Sequence, residues 1–159
     1  MEAARPATPD DLGRLAALAE AGRAELAPTR GGAVWAAREA RARPVERSLA
    51  SAITDPDQLA AVGTIDGTVV GYAVTRLEQL QDGTTLGVID DLFVEPGARE
   101  VGVGEALIDE VIAWCRDRGC RGIDGLALPG NRETKNFFET FGFTARAIVV
   151  HRSLEELAT

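Results

Sequence analysis

The chain has little of what metal and nucleophilic centres are usually built from. It carries two cysteines, one histidine, one tyrosine and one methionine in 159 residues. Cys115 and Cys120 have no metal-ligand spacing and a lone His151 does not complete a set, so no metal site is expected and the thiols read as core or half-exposed side chains. Lys135 is the sole lysine beside many arginines and alanines, a skew that reads as the codon usage of a high-GC bacterial genome rather than as chemistry. No apolar run approaches the roughly 18–20 residues that span a bilayer. Met1–Pro6 lacks the apolar core of a secretory signal, so a cytoplasmic location without a membrane partner is expected. The net charge of −8 argues against nucleic acid as a partner and is compatible with a basic substrate. A phosphate loop of the nucleotide-hydrolase kind is excluded, because no glycine is followed by Lys-Ser or Lys-Thr.

What is present suits one globular domain over residues 1–159, with 45% hydrophobic and 26% charged residues. Thr8-Pro9-Asp10-Asp11 is a helix start, and Leu12, Leu15, Ala16, Leu18 and Ala19 continue at helical spacing to about Ala24. Pro28–Gly32 is a loop. Val34–Ala52 reads as two short helices interrupted at Pro44. From Leu59 the period shortens to that of strands: Leu59–Thr64, Val69–Leu80 and Thr85–Val94, joined by Asp66-Gly67 and Asp82-Gly83 turns and therefore antiparallel. Val103, Leu107, Val111 and Cys115 share a helix face that ends at Gly119. A strand over Gly122–Leu128, a helix capped by Asn131 and ended by Gly142, and a last strand over Ala145–Leu154 complete the series.

The densest signal is Ile89 to Gly104. An apolar strand meets a Pro-Gly turn, and Arg99-x-x-Gly102-x-Gly104 then opens a helix. Free N–H groups and the helix dipole make such a start an anion site, and Gly102 and Gly104 remove side chains that would hold a ligand off the backbone. A phosphorylated cofactor is therefore expected. A dinucleotide site needs a third glycine and a parallel sheet, whereas Leu107 stands at that position and the preceding strands form hairpins.

Leu92-Phe93-Val94 followed by Arg99-x-x-Gly102-x-Gly104 resembles the cofactor signature of the GCN5-related N-acetyltransferases. The stretch from Asn131 through Phe137-Phe138-Glu139 to Gly142-Phe143 is similar to that family's second block, and the order of elements also matches over nearly the whole chain. The resemblance implies an α/β (α+β) fold with a mixed, mostly antiparallel sheet flanked by helices. It also implies acetyl-CoA, or a close acyl-CoA, as co-substrate. The pyrophosphate would lie on Arg99, Glu100, Val101, Gly102, Val103, Gly104 and Glu105. The pantetheine would pair with Leu92, Phe93 and Val94 as an added strand. Asn131, Thr134 and Phe138 would border it. Glu100 and Val101 depart from the small and basic residues usual in the family.

The implied reaction is direct attack of an amine on the thioester. A backbone N–H at Val94 is placed by analogy to hold the oxyanion. A base is needed, because an ammonium near pKa ~10 is mostly charged at neutral pH. Asp90 is the candidate: polyamine acetyltransferases of the family carry an acidic residue at this position, nine before the motif arginine. Strand alternation allows only one of Asp90 and Asp91 to face the splay; Asp91, on the face of Ile89 and Phe93, reads as structural, and Glu78 is a weaker candidate. Phe138 stands where the family commonly has a tyrosine that protonates the thiolate. Phenylalanine keeps the packing and loses the proton, which leaves two readings: an N-acetyltransferase for a small amine, amino acid or peptide N-terminus, or a noncatalytic acyl-CoA-binding domain. The acceptor region runs from Pro28 to Ala52 with Trp35, plus Tyr72 and Arg76. Tyr72 is packing first and an acid second, and His151 is structural. Homodimers are common in the family, and nothing in the chain fixes one.

Overall fold

The computed structural model describes residues 1–155. Strand β1 (Glu2–Pro6) leads through a 3-10 turn into helix α1 (Leu12–Leu26), then α2 (Gly32–Arg38) and α3 (Val45–Thr54). Strands β2 (Gln58–Ile65), β3 (Thr68–Gln79) and β4 (Thr85–Val94) follow, then α4 (Val103–Asp117), β5 (Gly122–Asp124) and α5 (Arg132–Thr140). The sheet order is β1-β2-β3-β4-β5, antiparallel except for the parallel β4–β5 pair. The mixed, mostly antiparallel sheet flanked by helices is thus as expected. Among the described residues, no helix is long and apolar enough to cross a membrane.

Both faces of the sheet are buried. Leu59-Ala60-Ala61-Val62 in β2 is an unbroken apolar run because alternate side chains serve opposite layers. Ala60 and Val62 join Leu15, Leu18 and Leu49 of α1 and α3, while Leu59 and Ala61 join Leu107, Ile108 and Val111 of α4. Helix α4 lies hard on the sheet where Gly63 has no side chain: a Cβ there would stand 2.6 Å from Val103 Cγ1 and 3.1 Å from Leu107 Cδ1. Gly87 likewise admits the Cys115 sulfur. Burial pushes that thiol up to about 12, which leaves it protonated and inert.

Three sequence expectations are corrected. Strand β4 carries a bulge: Val74 pairs with Asp91 and Thr75 with Ile89, leaving Asp90 without a partner. The extra residue flips the alternation, so Ile89 faces the α4 layer and Phe93 the α1–α3 layer rather than sharing one face. Strand β5 stops at Asp124 instead of Leu128, because from Gly125 the chain diverges from β4. Residues 145–154 form no strand and are exposed, and they do not pair with the outer edge of β5. His151 is therefore an exposed side chain, not a structural one.

Gly63→Ala tests how closely α4 is seated. Overpacking against Val103 and Leu107 is expected to cost about 1–3 kcal/mol, read as a lower urea midpoint with unchanged m-value. An unchanged midpoint would mean that α4 has slack at its first turn.

Candidate active site

One cleft of about 1260 Å³ lies between β4 and residues 125–128, lined by Trp35, Tyr72 and Arg76 and by residues of the Arg99–Glu105 loop and α5. It exists because β4 and β5 pair only from Leu86↔Gly122 to Val88↔Asp124 and then separate. Beyond Val88, the β4 edge that faced β5 is left without a strand. Glu95 N–H donates to the Val70 carbonyl (2.9 Å), so strand alternation turns the Val94 N–H toward this open edge.

The glycine loop lines part of the cleft. Gly102 caps α4 at φ +97, and Glu100 also takes a positive φ of +67, which a non-glycine residue holds only under strain. Ala106 N–H donates to the Gly102 carbonyl (3.0 Å), so helix geometry leaves the N–H groups of Val103, Gly104 and Glu105 without an upstream carbonyl. Gly104 has a second reason to lack a side chain: a Cβ would stand 2.8 Å from Phe137 Cε2. Close seating of α5 on α4 depends on it. Asn131 caps α5 by accepting the Thr134 N–H (3.2 Å), as its sequence position suggests.

Arg99 is held by its neighbours. Its Nε donates to the Val94 carbonyl (2.8 Å), its two Nη atoms grip Glu25 of α1 (2.8 and 2.7 Å), and its guanidinium lies 5.5 Å over the Phe93 ring. It thereby ties the end of β4 to α1, and an anion reaching it competes with Glu25. Nothing in the sequence pairs residues 74 positions apart, so Glu25 was missed.

The two aspartates of β4 part company at the bulge. The Asp91 carboxylate accepts Arg41 Nε (3.0 Å), Arg41 Nη2 (2.6 Å) and the Tyr72 hydroxyl (2.7 Å). Asp91 and Arg41 are 8% and 11% exposed, an ion pair shut away from water. The Tyr72 proton is committed to Asp91. Burial and then that carboxylate's charge raise the phenol far above its ordinary value, so it does not ionise. Asp90 accepts Arg76 Nε at 3.1 Å and keeps 30% of its side chain exposed. Burial raises its carboxyl above the usual carboxylate value, against the opposing pull of Arg76. Glu78 shares Arg76 at 3.3 Å. Phe138 is buried beside Phe143 (5.0 Å between centroids), with Gly125 leaving room for its Cζ, where a Cβ would come within 2.5 Å. Trp35, Tyr72, Arg76, Asp90, Val94, Phe138 and the loop glycines all line the cleft. Among the described residues, no three metal-ligating side chains gather into a cluster.

Residues 25–143 match the family model described as the acetyltransferase (GNAT) family, and the chain belongs to that family. It is 42% identical over 60 residues to an aminoglycoside N(6')-acetyltransferase type 1 of Stenotrophomonas maltophilia, covering 35% of this chain and 39% of that protein. It is 31% identical over 81 residues to a glucosamine 6-phosphate N-acetyltransferase of Trypanosoma brucei brucei, covering 50% of this chain and 53% of that one. A mycothiol acetyltransferase of Propionibacterium freudenreichii is 32% identical over 90 residues, which span 57% of this chain and 28% of its own length. The matches thus span from about a quarter to about half of these relatives' lengths. Among solved structures, the fold is shared with AAC(6')-Iy in complex with a CoA bisubstrate analogue (TM-score 0.75, 18% identity, 98% and 99% of the two chains). It is shared also with a Bacillus halodurans protein (TM-score 0.81, 20% identity, 95% and 99%).

Glu100 gives the loop a directed test. Glu100→Gly removes both the positive-φ strain and a negative charge beside the free N–H groups. Acetyl-CoA is expected to bind about two- to five-fold more tightly by titration calorimetry, the scale of one screened charge at a helix terminus. Weaker binding by the variant would mean that the Glu100 side chain contributes a contact of its own.

Proposed function

We propose that this chain moves an acetyl group from acetyl-CoA to the primary amine of a small molecule, amino acid or peptide N-terminus. The observation that carries the proposal is the unpaired β4 edge from Ile89 to Val94, which ends on the glycine-capped start of α4 inside one cleft. An extended amide-bearing arm suits that edge as an added strand, and a diphosphate suits the N–H groups of residues 103–105. The amine nitrogen attacks the thioester carbonyl, the C–N bond forms and the C–S bond breaks. The Val94 N–H holds the carbonyl oxygen as it becomes anionic. The ammonium proton passes to Asp90, whose carboxyl burial raises above the usual carboxylate value, and the second N–H proton, lost as the adduct collapses to the amide, reaches the departing CoA thiolate through water.

Acceptor chemistry is bounded by the cleft and by the relatives. Aminoglycoside, mycothiol and glucosamine 6-phosphate acetyltransferases are named for small-molecule acceptors. Trp35, Tyr72 and Arg76 line the same cleft and are the residues offered to such an acceptor. Phe138 favours a second reading, an acyl-CoA-binding domain without turnover, because it offers no hydroxyl to the thiolate.

Release of free CoA thiol over a panel of amines separates the two. Acceptor-dependent release above hydrolysis is expected; tight acetyl-CoA binding with no such release would support the binding domain. In the active case, Asp90→Asn is expected to lower kcat/KM about 10²–10⁴-fold. It should also abolish the acidic limb of the pH profile, along which activity rises as Asp90 loses its proton. A profile that keeps this limb in the variant would assign the base elsewhere. Phe138→Tyr is expected to raise kcat only if thiolate protonation limits turnover, and unchanged kcat would assign that proton to water.

A further inference from the structure

Asp90 does not meet the cleft alone. Its carboxylate accepts Arg76 Nε at 3.1 Å, and both side chains line the cleft, Asp90 30% and Arg76 42% exposed. Arg76 lies opposite Val88 in the ladder, and the unpaired Asp90 reaches it from two positions further along β4. Arg76 commits Nε to Asp90 and Nη1 to Glu78 (3.3 Å), while Nη2 has no hydrogen-bond partner among the described residues.

This pair constrains the acceptor. An ammonium that gives its proton to Asp90 must come within about 3 Å of the carboxylate. It then stands close to a guanidinium that already touches the same carboxylate, and the two positive charges repel. An acceptor with a carboxylate of its own beside the amine turns that repulsion into attraction. Covalent geometry sets an α-amino nitrogen about 2.5 Å from its carboxylate carbon. That separation suits the 3.1 Å contact between Arg76 and Asp90. Ammonium on Asp90 and carboxylate on the Arg76 Nη atoms make two charge pairs of opposite sense, each with hydrogen bonds. A polycation is received less well. Among the described residues, every carboxylate that lines the cleft outside the glycine loop is already ion-paired with an arginine.

We infer that the acceptor is a free α-amino acid, held by its ammonium on Asp90 and by its carboxylate on Arg76. The inference rests on the acetyl transfer proposed above and narrows its acceptor, because peptide N-termini and simple amines lack the second anchor. As the nitrogen takes the acetyl group, two ammonium protons leave, one through Asp90 to solvent and one to the CoA thiolate. The acceptor carboxylate is unchanged. The product, an N-acetyl amino acid, has lost the charge that Asp90 held, which favours its release.

Release of CoA thiol with L-amino acids, each beside its amide and its decarboxylated amine, is the test. The wild type is expected to favour acids over amides about 10- to 100-fold in kcat/KM, the scale of a charge-assisted contact. The amine of an amide is less basic than that of the free acid, so ionisation works against this preference. Arg76→Gln is expected to abolish the preference and Arg76→Lys to restore part of it. The ratio is taken within each variant, so a general loss of activity cancels. Amides or simple amines used as well as the acids overturn the inference and leave acetyl transfer standing. A preference for acids that survives in Arg76→Gln overturns it too. If no acceptor releases CoA, acetyl transfer itself fails, and calorimetric titration of the acetyl-CoA-bound protein with the same acids decides the site. Binding that is lost in Arg76→Gln upholds it; no binding, or binding that survives the substitution, overturns it.

Discussion

The bulge at Asp90, with the buried anchor beside it, is the constraint on which the site depends. One unpaired residue flips the alternation of β4. Asp91 then points toward the α1–α3 layer, where Arg41 and Tyr72 meet it, while Asp90 meets Arg76; both aspartates line the cleft. The Arg41–Asp91 pair is bidentate and nearly dry, and removing one member of such a pair typically costs about 3–5 kcal/mol because the other is left buried and unpaired. Arg41 belongs to the segment between α2 and α3, so the anchor also pins this part of the cleft lining to the strand that carries the candidate base. β4 separates from β5 after Val88, just before the bulge at Asp90.

Small residues set the remaining distances. Gly63 lets α4 approach β2, Gly104 lets Phe137 approach α4, and Gly125 lets Phe138 approach the wall of the cleft. Of the two loop glycines, Gly104 thus serves packing and Gly102 the turn. Gly102 is left-handed and open, whereas Gly104 is filled by a ring from α5. That seating couples the second sequence block to the first: α5 positions the start of α4, and α4 presents its N–H groups at the end of the β4 edge.

Much of the fold was legible because it rests on local rules. Strands β2, β3 and β4 follow from Asp-Gly turns and unbroken apolar runs, and α4 from one apolar face bounded by Gly102 and Gly119. The family was legible in two short motifs. The bulge was not, because alternation presumes that every residue has a partner, and Asp90 does not. Nor were Glu25 beneath Arg99 or Arg41 beneath Asp91, which meet across 74 and 50 residues with no periodic signal. Residues 145–154 have the composition of a strand, yet composition does not say whether an edge is met, and among the described residues this segment pairs with none.

The most direct measurement is residue-resolved amide exchange with and without saturating acetyl-CoA. If the open β4 edge and the start of α4 hold the co-substrate, the Val94 amide and those of Val103, Gly104 and Glu105 slow together on binding. Binding that leaves Val94 unchanged would contradict the assignment of the β4 edge as the place where the acyl-CoA arm docks.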